Sequence, residues 1–566
     1  MVAVFWRRFR ERPYAVVLVP LLFLWAIGLT WGLPSTDAWD EDGIAPRDIL
    51  TGIYNSYRPG HYHTYPLLHF LLLGLLTLPK TIAFALSTEG AEWHERVQAF
   101  IDPGNATTYA TVARCVSMAM AAGIVLCLSE IARVLAGNKA AAFTALLAGT
   151  NVSLVYYAKT SNLDVPYLFW SSLAVLEVTR ALSKDESKRV VRAFLFAALG
   201  VATKDQAYAL FLLSFPVAIV FWIALAKPDT RRAISKHAAF ACVVGLVVLL
   251  LLDGAIFNPS GFSARIRFLL GPANQDHTMY PASIEGRYRA VTDAIIGTTR
   301  TLPGWMVFFL PFGILSAWRK KNTFRGRIGS LLPLLVSLSF LLFFTATARR
   351  TDHRFVLPIE LFLCPTLGIG VATLWDATNV PFRLLARLTA IAGLTVATTY
   401  AVRLDLTMLR DPRYEVEALL QEQVALGERV ELYGTNVHLP RLPEHLHADR
   451  FDSTPLASRS PLPRVTERSE SLSEVEARCP TWIVTSSEWL WRFPPPEVPG
   501  PGGSEWEHRY RENHDTRLYL SMLQKGELAY ALARVARVSG GFEPYWIHGA
   551  TNPTIYVWKR TKRCSS

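Results

Sequence analysis

Four carboxylates stand within six residues at Asp37, Asp40, Glu41 and Asp42, shortly after an uncharged apolar stretch at residues 14–33. A carboxylate so placed can take a proton from a hydroxyl as general base. Acidic and basic residues meet again in Lys159-Thr160-Ser161-Asn162-Leu163-Asp164, in Thr203-Lys204-Asp205 and in Arg349-Arg350-Thr351-Asp352-His353-Arg354. Arg grips phosphate through a rigid bidentate fork, and Lys supplies a movable point charge. Basic groups facing acidic ones suit an anionic lipid headgroup held close to a base. Each cluster taken singly has a plainer reading. Acidic residues, Asp48 included, cap helix starts, and a lone Lys or Arg at a span end snorkels to the interface. His61 and His63 could join a metal site, although two nitrogens at i,i+2 are not a ligand set. His445-Leu446-His447-Ala448-Asp449 reads as a solvated loop.

The elements that position these groups are apolar. Hydrophobic residues make up 51% of 566 and charged residues 18%, against about 25% charged in an average soluble chain. Charge-free runs of about 20 residues, the length that crosses a bilayer, occur at 14–33, 140–158, 206–226 and 328–348, with shorter ones between them. The length rule predicts 11 to 13 spans. Residues 403–566 carry 21 Lys/Arg and 22 Asp/Glu, leaving 37 and 24 in residues 1–402. The excess positive charge therefore sits in the apolar part, where it reports threading rather than affinity for nucleic acid. Arg7, Arg8, Arg10 and Arg12 precede the first run and place the N-terminus in the cytoplasm. Basic loops at 133–139, 180–192, 227–236, 319–327 and 383–387 share that side. The first outer loop (34–64), the short turns at 159–164 and 204–205, residues 258–289 and 349–354, and everything after 403 face outward. Residues 65–108 leave a parity problem: the segment either dips and returns or contains a weak second crossing. Cys479 and Cys564 could pair. In the tail, helix-then-strand patterns at 412–433 and 471–485 and a strand at 554–558 predict an α/β domain, with a Pro/Gly loop at 494–503.

The order of these features resembles the GT-C superfamily of polyprenyl-phosphate-sugar-dependent glycosyltransferases, and within it the family of protein O-mannosyltransferases and lipid A aminoarabinose transferases. Asp40-Glu41 is similar to that family's Asp-Glu pair in the first outer loop. His61-Tyr62-His63-Thr64-Tyr65-Pro66 resembles its His/Pro-rich approach to the next apolar segment. Tyr156 to Pro166 matches an aromatic approach to a second Asp, here Asp164; Thr203-Lys204 matches a Thr-Lys turn, and His353-Arg354-Phe355-Val356-Leu357-Pro358 resembles a late Arg-Tyr-x-x-Pro element. The departures are Asp42 after the pair, Phe355 for Tyr, and an incomplete double proline after the histidines.

The resemblance implies a polytopic α-helical membrane enzyme with a GT-C-like transmembrane domain at 1–402 and an extracytoplasmic α/β domain at 403–566. It implies an inverting transfer of sugar from a polyprenyl phosphate to a lipid, glycan or protein acceptor, at the outer face of a bacterial inner membrane. Asp40 would be the base, with Glu41 and Asp164 orienting the acceptor. Lys204, Arg349, Arg350, His353 and Arg354 would hold the donor phosphate, whose low basicity lets one carboxylate suffice. No cofactor is required by the pattern. A divalent metal, with His61 and His63 as further ligands, stays open, since some superfamily members use one and others do not. The alternative reading is a transporter or flippase for a lipid-linked or anionic substrate; charges at outer span ends rather than mid-span weigh against it.

Overall fold

Because lipid offers no hydrogen-bond partners, each apolar segment must satisfy its backbone internally as a helix. The computed structural model describes residues 13–35, 39–40, 44, 46–100, 102–271, 278–319, 323–451, 456, 464–490, 514–538 and 551–563. The helices that position the site are α1 (Leu18–Ala26), α2 (Pro46–Tyr57), α3 (Leu68–Ser87), α4 (Pro103–Ala136), α5 (Asn138–Gly149), α6 (Val152–Ala158), α7 (Asp164–Lys184), α8 (Arg189–Val201), α9 (Pro228–Leu252), α10 (Pro259–Leu270), α11 (His353–Trp375), α12 (Val380–Leu409) and α13 (Pro412–Gln423). Among the described residues seven helical segments are long and apolar enough to cross a membrane, or nine if two sharply bent pairs each count as one. That test counts fewer than the expected 11 to 13, and it leaves out α7, α8 and the short first helix. The run at 140–158 is bent by 68° between α5 and α6, and the first apolar helix is short, at Tyr14–Ala26. Charge within α7 and α8, at Glu177, Arg180, Arg189 and Arg192, lowers the apolarity of that pair.

α11 is the centre of the bundle, with 89% of its most apolar window buried. Small residues let backbones approach there, the usual means of helix association in lipid. A Cβ at Gly370 would stand 2.0 Å from Phe309 O, and one at Gly368 2.3 Å from Thr144 Oγ1. Midway along α11, Glu360 is buried and accepts from Asn151 Nδ2 (2.7 Å) and from the Thr301 hydroxyl. A buried carboxyl held by donors from two other helices fixes their mutual register.

The charges sort to opposite ends of α7, whose 21 residues span about 30 Å. At one end Glu130 binds Tyr14, Arg133 and Arg180, and Glu177 binds Arg180, Arg189 and Arg192. At the other, Asp164 opens α7 beside the first loop. α3 starts where Leu68 N donates to Ala202 O, and its Thr81 hydroxyl meets Tyr109 near the start of α4. Segment 65–108 thus leaves from the turn at 202–204, and its helix α3 meets α4 close to that helix's first turns.

α12 passes residue 402 and hands the chain to α13, which packs on a six-stranded sheet: β1 (Val430–Tyr433), β2 (Ala448–Phe451), β3 (Val465–Arg468), β4 (Trp482–Ser486), β5 (Tyr530–Ala536) and β6 (Ile555–Arg560). The order is β3-β2-β1-β4-β6-β5; the first four are parallel, and β6 and β5 are each antiparallel to their neighbour. β1 and β4 are buried at every position, as central parallel strands are. β2 corrects the expected loop at 445–449, because Ala448 and Asp449 pair with Val430 and Glu431. The Pro/Gly segment 494–503 lies outside the described residues.

Candidate active site

Asp40 is buried, and both oxygens of its carboxylate accept hydrogen bonds. Arg114 Nη2 donates to Oδ1 (3.0 Å) and Arg114 Nε to Oδ2 (3.3 Å); Ser161 N and Oγ both donate to Oδ2 at 2.8 Å. Arg114 itself is 0% exposed, and its Nη1 also caps the carbonyls of Leu29 (2.7 Å) and Trp31 (2.8 Å). Four bonds from one guanidinium gather the turn after α1, the loop that carries Asp40 and α4. The sequence reading missed Arg114, although a charge inside a long apolar helix is the signal that marks such residues. Glu41 lies outside the described residues.

The loop after α6 carries the next link. Asn162 Oδ1 accepts from the backbone N–H groups of Asp164 (2.8 Å) and Val165 (3.0 Å), while its Nδ2 donates to Tyr157 O (2.8 Å). This local Asn turn starts α7 with the Asp164 side chain buried in a fixed direction. Asp164 Oδ1 receives Lys204 Nζ at 2.7 Å and Gln206 Nε2 at 3.4 Å; Gln206 also donates to Tyr167 Oη at 2.9 Å. Asp40, Ser161, Asp164 and Lys204 therefore form one connected set across three chain segments.

Lys204 forms part of the wall of a cavity of about 350 Å³, together with Asp48, His63, Tyr65 and Leu163. Asp48 stands in the first turn of α2. His63 Nδ1 accepts from Tyr65 N (3.2 Å), and its ring packs edge-on against Phe70 at 4.7 Å. Burial holds the His63 pKa below the ordinary imidazole value, with Asp48 opposing and Arg265 adding to the shift. The ring is neutral at pH 7 and can accept a proton. Asp40 does not line this cavity. His61 lies instead in an adjoining crevice with Asp253 and Arg265.

Arg265, on α10, is the second residue the sequence reading missed. Its Nη2 meets Asp205 Oδ2 at 2.5 Å, its Nη1 faces Asp253 at 3.9 Å, and its Nε donates to Thr64 O at 3.4 Å. The Lys204-Asp205 pair is thus split, Lys204 turning to Asp164 and Asp205 to Arg265. Burial raises the Asp253 carboxyl to about 7; Arg265 lowers it and Asp205 raises it further. Lys159, counted among the outer basic groups, is 0% exposed and bound to Asp405 and the Leu24 and Ile27 carbonyls. It is a packing ion pair.

The arginine cluster is placed elsewhere. Arg349, at φ +52°, donates to Tyr280 O (3.1 Å), and its own carbonyl accepts from Met279 N (3.1 Å). Arg350 and Arg354 pack on the Phe355 ring at 5.2 and 4.7 Å, and Arg354 faces Asp352 at 3.9 Å. His353 is the first residue of α11. None of these residues forms part of the wall described for the Lys204 cavity. Among the described residues no group of three or more His, Cys, Asp or Glu is arranged to hold a metal ion.

Residues 107–253 match the family model described as Dolichyl-phosphate-mannose-protein mannosyltransferase. ArnT from Cupriavidus metallidurans in the apo state has the same fold, with TM-score 0.51 at 13% identity over 98% of each chain. That family model covers 147 of the 566 residues, and the likeness to ArnT is one of fold: a multi-pass helical membrane protein with a C-terminal sheet domain. The same ArnT bound to undecaprenyl phosphate gives TM-score 0.47 at 13% identity, over 96% of this chain and 97% of the other. The Archaeoglobus fulgidus oligosaccharyltransferase, tethered with an acceptor peptide containing the NVT sequon, gives 0.43 at 11% identity, over 98% and 89%. No curated protein matches the chain by sequence.

Proposed function

We propose that the chain transfers a sugar from a polyprenyl phosphate to an acceptor hydroxyl in the Lys204 cavity, with inversion at the anomeric carbon. The observation that carries this reading is the cavity itself, where a buried lysine, a carboxylate and a neutral histidine share one wall. Lys204, oriented by Asp164, stabilises the departing phosphate; charge stabilisation of this kind is usually the largest catalytic contribution. Asp48 takes the acceptor proton, assisted by His63. Asp40 acts one step away, fixing the loop that carries Ser161 and Asp164. A second reading keeps Asp40 as base, because its Oδ1 receives only one donor and so retains a lone pair. The arginines at 349, 350 and 354, with His353, contribute to the donor's approach rather than to the reacting phosphate.

The extracytoplasmic placement of the site and of residues 403–566 is part of the same proposal. The arginine-rich network around Glu130 and Glu177 marks the opposite end as cytoplasmic, with the N-terminus on that side. Cys479 is disulfide-bonded, which suits an oxidising compartment. Acceptor hydroxyls on lipid, glycan or protein all fit the chemistry. The test is single-turnover transfer by the purified protein. Asp48→Asn should lower the rate of transfer by about 10²–10⁴-fold, the usual contribution of a general base, with donor affinity retained. Full activity of Asp48→Asn beside an inactive Asp40→Asn returns the base to Asp40.

A further inference from the structure

A second cavity, larger than the Lys204 cavity, lies outside the site described above. It has a volume of about 880 Å³ and lies between the sheet domain, the first outer loop and the start of α4. That volume falls within the range of about 300–1,000 Å³ usual for small-ligand sites. Its position is built, not incidental. One face of α13 supplies Tyr414, Glu417, Ala418 and Gln421, which the i, i+3, i+4, i+7 spacing places on one side of a helix. The segment 439–444 closes the opposite wall, and Trp39 and Asp102–Gly104 close the side nearest the bundle.

The same boundary is clasped to the catalytic loop. Trp31 Nε1 donates to Asp411 Oδ2 (2.9 Å), Gly32 N donates to Tyr414 Oη (3.0 Å), and the Arg413 guanidinium lies 3.8 Å from the Trp39 ring centre. Arg441, held by Glu417 at 2.6 Å, reaches Pro34 O at 3.4 Å and packs over Trp39 at 5.4 Å. Trp39 is therefore in the wall of this cavity, while the next residue, Asp40, is bound to Ser161.

Resting on the transferase reading above, we propose that this cavity binds the acceptor, and that the part of the acceptor it holds is an uncharged oligosaccharide. Its walls carry carboxylates at Asp102, Glu417 and Glu444 against guanidinium groups at Arg441 and Arg464. Acidic groups outnumber basic ones, which disfavours a phosphate-rich headgroup; between them the wall is apolar, with Trp39, Tyr414 and Pro440, a mixture that fits the hydroxyl edges and C–H faces of a neutral sugar. Amide and carboxyl groups such as Gln421, Asn436 and Glu444 combine donor and acceptor atoms in fixed planes, which suits vicinal hydroxyls. The acceptor is thereby held by the domain that clasps the Asp40 loop, and its reactive hydroxyl extends toward the bundle.

The test uses the full chain in detergent with mannotriose, arabinotriose and maltotriose as neutral probes, a galacturonate trimer as anionic control and a Thr-containing peptide as alternative. Saturation-transfer NMR measures binding. At least one neutral trimer should bind, and Ala418→Trp, which fills the cavity, should weaken it at least tenfold. Gln421→Ala and Glu444→Gln, both at exposed positions, should each weaken it several-fold without the risk of misfolding. Acceptor-free cleavage of the lipid-phosphate donor should be unchanged in all three variants. Binding only of the galacturonate or the peptide, binding unchanged by all three variants, or binding of none of the neutral trimers would overturn the assignment. Failure of the wild type to transfer sugar from the lipid-phosphate donor to any of these probes would refute the transferase reading, while saccharide binding lost in Ala418→Trp would still establish this site.

Discussion

Arg114→Met should be among the most damaging single changes in the membrane part. It removes two bonds to Asp40 and two to the carbonyls of Leu29 and Trp31. Asp40 would be left as a buried carboxylate held only by Ser161. Removing one partner of a buried pair costs about 3–5 kcal/mol, a factor of roughly 10²–10⁴ in the folding equilibrium. Asp40→Asn removes the charge but keeps an acceptor, so Asn should cost less than Met. The two changes act on one interaction, so the double variant should fall short of their summed effects by about 0.5–3 kcal/mol. The assay is a double-mutant cycle in detergent, with unfolding followed by tryptophan fluorescence and transfer measured in parallel. Effects that simply add, in both stability and rate, would refute the claim that Arg114 acts through Asp40 and the first loop.

The pH dependence of stability should carry a contribution from Asp253. Its carboxyl is raised to about 7 in the fold against about 3.9 when unfolded, so its contribution is greatest in acid and is lost as pH rises through 7. Asp253→Asn should therefore flatten the decline in melting temperature between pH 5 and 8, and an unchanged slope would reject the assignment. Gly370→Ala should destabilise the bundle by about 1–3 kcal/mol, since the added methyl meets the backbone oxygen of Phe309; a melting temperature equal to wild type would show that α11 is not packed this closely.

The membrane character was legible in the sequence because apolar length is a direct physical requirement of the bilayer. The span count was not. Bends such as the one between α5 and α6, and charged residues buried in α7 and α8, break the simple correspondence between a charge-free run and a crossing. Asp164 and Lys204 were legible as chemistry and meet at 2.7 Å. Their neighbours came from far away in sequence: Ser161 from the loop before α7 and Arg114 from within α4 converge on Asp40, a pairing that no local spacing encodes. Asp48 read as a helix cap and does stand in a first turn, yet it also faces the cavity. Strand β2 was invisible because its four residues, Ala-Asp-Arg-Phe, owe their state to pairing on both sides rather than to apolar alternation.

The central claim is that Lys204, aligned by Asp164, receives the phosphate of the lipid donor. Equilibrium binding of a short-chain polyprenyl phosphate to the purified wild type and to Lys204→Gln tests it most directly. The account predicts at least tenfold weaker binding by Lys204→Gln, measured well below the lowered melting temperature that follows from leaving buried Asp164 without its cation. Equal affinity in the two proteins would contradict it and move the phosphate site to the arginines at 349–354.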